Sequence, residues 1–217
     1  MNIKGVITGD IVGSAAITGT SRDGLLSAIK EVVGICREKD PSLQMEFYRG
    51  DSFQIISARP ATMAYLAVLL RAKVKSLSPK RNALWDVRLS IGIGEISYSS
   101  GNVATSDGEA FQLSGRSLDD IGKRRLIVST IWDEVNDELE VSTAFLDTLI
   151  TEWTASQSEV IYAYFLNSEK TQTEIAELLG TSNQNVSSQL LKANYKLVEL
   201  YIGRFHTLLK ARTTPSL

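Results

Sequence analysis

The sequence predicts an α+β protein: a mixed sheet with helices laid on it, followed by a wholly helical segment. Three observations carry this. Strand-length apolar runs alternate with helix-period stretches from Asn2 to Ser129, and from Ile131 onward every apolar repeat has helical spacing. The 217-residue chain is 43% hydrophobic and 22% charged with four prolines, which is enough chain for one large domain or for two.

Asn2–Gly9, apolar at Ile3, Val6 and Ile7, reads as a central strand closed by Gly-Asp. Arg22–Lys39 reads as a helix, with Leu25, Leu26, Ile29, Val32, Val33 and Cys36 on one face and Asp40-Pro41 as its stop. Gln44–Arg49 and Ser52–Ala58 flank Gly50-Asp51, a hairpin whose tip presents a carboxylate. Pro60–Ser76 begins with proline and has an apolar face of Met63, Leu66, Ala67 and Leu70. Asp86–Ser97 is a long strand with Gly92 and Gly94 in its middle, Glu109–Ile121 a short helix and Arg125–Ser129 a last strand. This order is of the ferredoxin-like type, with the helices expected on one face of the sheet. The acidic stretch Asp133–Glu140 is the expected boundary between a domain over 1–135 and a helical domain over 142–210. Disorder is expected only in the tail Ala211–Leu217.

No apolar run approaches the roughly 20 residues of a membrane span, and the N-terminal apolar stretch is too short for a signal peptide, so the expected location is the cytoplasm with no membrane partner. One cysteine, Cys36, and one histidine, His206, exclude a disulfide and a zinc site of Cys and His ligands. A metal would have to sit on carboxylates, which favours hard cations. Net charge is −2, but the segment Lys170–Leu217 holds six basic and three acidic residues, which places the basic excess where a nucleic-acid reader would use it.

Two acids stand at strand ends. Asp10 follows the first strand and Asp51 sits at the hairpin tip, and if these strands are neighbours the pair can share Mg2+ or Mn2+ against a triphosphate. The alternative is that both acids cap turns. Gln112 and Arg116, four apart on one helix, can address a single ligand. No Gly is followed by Lys-Ser or Lys-Thr at P-loop spacing.

Asp10-Ile11-Val12-Gly13, Gly50-Asp51, Ser90-Ile91-Gly92-Ile93-Gly94 and Gln112 with Arg116 occur in the order of the class III nucleotide cyclases, and Met1–Ser129 resembles that family's palm. The resemblance implies Asp10 and Asp51 as metal ligands, Gln112 and Arg116 as catalytic residues, and Gly13, Ser14, Gly50 and Phe47 around a nucleotide. Two departures bear on it: Gln112 stands for the family's asparagine, and Phe47 for the base-selecting lysine of adenylate cyclases. The segments Thr8–Ser14, Arg49–Gln54 and Ser106–Phe111 also resemble the SatD family of small bacterial proteins, which implies no particular activity.

The run Thr173–Val186 has helix-turn-helix spacing: Ala176 where two helices approach closely, Gly180 four residues on for the turn, and Val186 packing back, with Ile175, Leu179 and Leu190. A supporting helix is expected over Ser156–Asn167, and the second helix from Ser182 to about Leu200. Ser182, Asn183, Gln184, Ser187, Ser188 and Lys192 form its outer face, with amides for base edges, hydroxyls for phosphates or bases and a lysine for phosphate. The alternative is a helical hairpin used for dimerisation. Trp85, Trp132 and Trp153 read as core anchors, Cys36 as inert, His206 as non-catalytic, and Lys123-Arg124-Arg125 as a solvated turn.

These readings combine into a double-stranded-DNA-binding transcriptional regulator whose cyclase-like domain takes a metal-nucleotide or related ligand. The rivals are an enzyme making a cyclic or oligomeric nucleotide product and a non-catalytic assembly module. Both resemblances imply a homodimer.

Overall fold

A computed structural model describes residues 2–17, 19–48, 50–79, 84–98 and 107–213. Arg49, Ser106 and residues 214–217, which belong to the motifs and tail above, lie outside them. The described tail residues 211–213 continue the last helix.

The elements in chain order are β1 (Ile3–Ile11), α1 (Thr20–Lys39), β2 (Gln44–Tyr48), β3 (Ser52–Ser57), α2 (Met63–Ser76), β4 (Val87–Tyr98), β5 (Asp107–Gly108), α3 (Glu109–Asp119) and β6 (Leu126–Thr130). Helices α4 (Asp133–Thr151), α5 (Ala155–Leu166), α6 (Gln172–Leu178), α7 (Asn183–Lys192) and α8 (Tyr195–Thr213) follow. The sheet runs β2-β3-β1-β4-β5, with β6 also beside β4. All pairs are antiparallel except β4 with β6, so the sheet is mixed as expected, and β1 lies beside the hairpin.

The alternation of β1 separates two faces. Ile7 and Ile11 belong with Phe53, Leu89 and Ile91 to the main buried cluster beneath α1 and α2. Val6 joins a smaller cluster with Ile56, Ile96, Ala110 and Phe111, on the side covered by α3. The expectation of helices on one face is thus corrected. The physical reason is glycine: a Cβ on Gly92 would stand 2.2 Å from the Ala110 carbonyl oxygen, so α3 rests directly on the β4 backbone.

The acidic segment 133–140 forms the first half of helix α4. One buried cluster runs from Ile7 and Leu70 through Leu139, Trp153, Val186 and Leu209. Arg71 of α2, fully buried, is the polar pin of this junction. It forks onto Asp86 at 3.0 and 2.6 Å and bonds Asp147 of α4 at 2.6 Å and Thr151 at 2.9 Å. Lys75 lies beside it, donating to the Thr151 carbonyl, and burial pulls its pKa down. The expected single long helix after Ser182 is also corrected: Asn194, in left-handed backbone with φ 54°, separates α7 from α8.

Candidate functional site

The strand ends meet as the sequence implied. Asp10 pairs across β1 with Ser52 of β3 on one side and Arg88 of β4 on the other, on the face that α3 covers farther along. Its two carboxylate oxygens accept from the Arg88 guanidinium at 2.8 and 2.5 Å. That hydrogen bond holds Arg88 above its ordinary pKa against the cost of burial, with further help from the charges of Asp10, Asp51 and Asp119. Asp51 therefore sits in the same electrostatic neighbourhood.

Around this pair, Thr8 and Ser114 share a 2.8 Å hydrogen bond between sheet and α3. The adjacent Ser90 hydroxyl is buried without a hydrogen-bond partner. The loop after β1 turns at Gly13, φ 64°, into a single 3-10 turn over Ser14–Ala16, and Val12 N–H is anchored on the Asp86 carbonyl at 2.9 Å. At the hairpin tip Gly50 has φ 84°, and a Cβ there would lie 2.9 Å from the Arg22 guanidinium of α1. Two cations, Arg22 and Arg88, thus flank the acids.

One expected member of the site stands elsewhere. Phe47 turns to the α1 side of the sheet, edge-on to Phe53 at 5.7 Å, with Lys30 5.4 Å above its ring. It is a core-edge residue, because it lies one position out of phase with Tyr48, which pairs with Ser52. Gln112 and Arg116 are exposed on the outer side of α3, whose buried residues are Ala110, Phe111, Ser114 and Leu118. Nor do the acids compose a cation site as arranged. Arg88 takes both Asp10 oxygens, and no group of three or more His, Cys, Asp or Glu able to hold a metal ion occurs among the described residues. The expected Mg2+ or Mn2+ does not fit this donor set.

Sequence reasoning missed Arg88. Its signal was available only through register: it occupies the same alternation as Ser90 and Gly92, on the face Asp10 shares. It missed Arg71 and Lys75 too, since α2 reads as one-sided until α4 and α5 cover its other flank.

The second candidate surface lies at α6 and α7. Thr171 caps α6 in a reciprocal box with Glu174. Ala176 is buried, Gly180 has φ 62°, and Thr181 N–H closes the turn on the Ala176 carbonyl at 2.9 Å. Ser182 caps α7 by accepting from Asn185 N–H, and Val186 and Leu190 are fully buried. Asn183, Gln184, Ser187, Ser188, Leu191 and Lys192 line a shallow outer depression. Asn183 donates to Thr173 at 2.7 Å, which fixes its amide. Trp153 behaves as the anchor expected of it: it is buried, and its indole N–H bonds the Ala193 carbonyl at 3.0 Å, tying α4 to the end of α7. Cys36 is half-buried and burial pushes its thiol up to about 11, in line with an inert side chain. His206 is exposed on α8.

No family model matches the chain, and no curated protein matches it. Among solved structures it is similar to one described as a bacterial light-regulated adenylyl cyclase, at 12% sequence identity and a TM-score of 0.39, covering 59% of this chain and 76% of that one. Among the described residues, no helix is long and apolar enough to cross a membrane.

Proposed function

We propose that the chain is a DNA-binding regulator that reads duplex DNA through α7 and carries on its sheet a site for a phosphate-bearing ligand such as a nucleotide. The observation that supports this reading is the α6–α7 pair: a close-packed turn at Ala176 and Gly180 with an exposed, hydrogen-bonding outer face on α7. Such a helix fits a major groove, where amides pair with base edges, hydroxyls reach phosphates and a lysine neutralises charge. The sheet order β2-β3-β1-β4 supports a ferredoxin-like palm as the place for that ligand. Arg22, whose guanidinium lies against Gly50 at the hairpin tip, is the cation there that could meet an anion, since Arg88 is paired with Asp10. Mobility shifts of the full chain on a random duplex pool test the reading. Retardation that weakens steeply between 50 and 200 mM salt is expected, at roughly one unit of log-log slope per phosphate neutralised. No retardation at any salt removes it.

A second reading, an enzyme acting on a nucleoside triphosphate, is favoured by Asp10 and Asp51 standing near one another at strand ends. It requires product from at least one of the four common triphosphates.

A further inference from the structure

We infer that the exposed seam between α4 and α8 is a two-fold interface with a second copy of this chain. The two helices lie side by side and antiparallel. Glu134 pairs with Arg212 at 3.0 Å and Glu138 with Arg204, and Thr143 bonds the Tyr201 hydroxyl at 2.6 Å. On the outer side of this seam four large apolar residues face water: Val141 and Phe145 on α4, 60% and 74% exposed, and Leu197 and Leu200 on α8, 55% and 69% exposed. Phe145 and Leu197 line one groove there, with Trp153 at its floor. Single exposed apolar residues are ordinary, but four on facing helices mark a contact surface.

Charge selects the occupant. At helical spacing the exposed face of α4 reads Glu134, Glu138, Val141, Phe145, Thr148, Glu152, acidic at both ends and without a base. The corresponding face of α8 reads Lys196, Leu197, Leu200, Arg204, basic and without an acid. A two-fold axis through the seam sets α4 of each copy on α8 of the other, so that the apolar centres meet and Glu152 of each copy faces the Lys196 end of the other, while Glu134 and Glu138 keep Arg212 and Arg204 of their own chain, as an isologous contact allows. Each helix has 19 residues, so the paired face is about 28 Å long and about 20 Å wide. That is of the order of the ~800 Å2 that each partner of a standard interface buries. The inference does not depend on DNA binding.

Sedimentation velocity on the full chain tests it. The wild type sediments as a dimer at micromolar concentration, and Phe145→Glu or Leu200→Glu weakens association on the order of thirtyfold, as loss of a central anchor does. Far-UV circular dichroism, unchanged in both variants, separates lost association from lost folding, and any fall in Tm is no larger than the lost association accounts for. Glu152→Lys and Lys196→Glu each weaken the dimer, and mixing the two variants restores association between unlike chains. A wild type that is monomeric at 100-fold higher concentration overturns the inference and leaves the seam to a partner of another kind. A dimer indifferent to Phe145→Glu and Leu200→Glu overturns it as well.

Discussion

Arg71 on α2 and Asp147 on α4 meet at 2.6 Å with the guanidinium wholly out of solvent. The same carboxylate accepts from Arg125 N–H at 2.9 Å, so one acid joins the sheet body, the start of β6 and the helical segment. Removing it leaves a buried cation half-compensated and a backbone donor without its acceptor. Asp147→Ala should therefore destabilise the fold by roughly 3–5 kcal/mol, measured by urea denaturation. A loss below about 1 kcal/mol would show that the junction does not depend on this pair.

Strand and helix periods were legible because each depends on local alternation, and the hairpin at Gly50-Asp51 announced itself by turn chemistry. The partner of Asp10 was not legible. Arg88 lies 78 residues away and meets it only once β1 and β4 are paired in register. The polar junction at Arg71 was not legible for a related reason. Burial of Arg71 depends on α4 and α5 closing over α2, and no window of sequence containing Arg71 records that. Asn194 was passed over because an asparagine in left-handed backbone leaves no strong mark on helical periodicity.

Gly92 gives the sharpest test of how α3 is seated. A methyl group there would meet the Ala110 carbonyl oxygen at 2.2 Å and Ser114 N at 2.5 Å, both backbone atoms of α3. The helix must lift, breaking the Thr8 to Ser114 hydrogen bond. Gly92→Ala should cost about 3 kcal/mol or more of stability, whereas Gly115→Ala, with nothing within 4 Å, should cost nothing or stabilise. Equal melting temperatures for the two variants would contradict the close approach.

Alkaline pH should loosen the α4–α8 seam. Burial pushes the Tyr201 phenol from its ordinary value of 10 up to about 12, outweighing its hydrogen bond with Thr143. The folded state therefore holds this proton more tightly than the unfolded chain. The associated stability is fully present below pH 10 and is lost as pH rises through about 12, roughly 3 kcal/mol for a two-unit shift. Tm followed from pH 9 to 12 should fall mainly in that window. In Tyr201→Phe the fall should be shallower, from a lower starting Tm, because Thr143 loses its partner. An unchanged slope would place the alkaline sensitivity on other groups.

The bidentate grip of Arg88 on Asp10 predicts how the sheet site meets metals. In the wild type millimolar Mn2+ alone should leave Tm unchanged, because both Asp10 oxygens are occupied. Arg88→Gln frees the carboxylate beside Asp51 and should make Tm rise with Mn2+, since a ligand bound only by the folded state stabilises it. An equal rise in wild type and variant would mean that the ion pair opens readily, and would strengthen the enzymatic reading.

The last test distinguishes reading from mere contact at α7. Lys192 stands in its final turn and Gln184 in its first, both exposed and both lining the same outer depression. A lysine meets phosphate as a point charge, which every sequence presents alike, whereas an amide can pair with adenine through two hydrogen bonds in the major groove. Lys192→Ala should weaken binding to all duplexes by a similar factor and lower the salt slope by about one. Gln184→Ala should leave the salt slope alone and lose roughly 1–3 kcal/mol of discrimination at one base position. Selection from a random duplex pool, run in parallel for the wild type and both variants, reads the two effects separately. If Gln184→Ala returns the wild-type site with the wild-type preference at every position, this amide does not read sequence. If Lys192→Ala leaves affinity and salt slope untouched as well, α7 is not the surface that meets DNA.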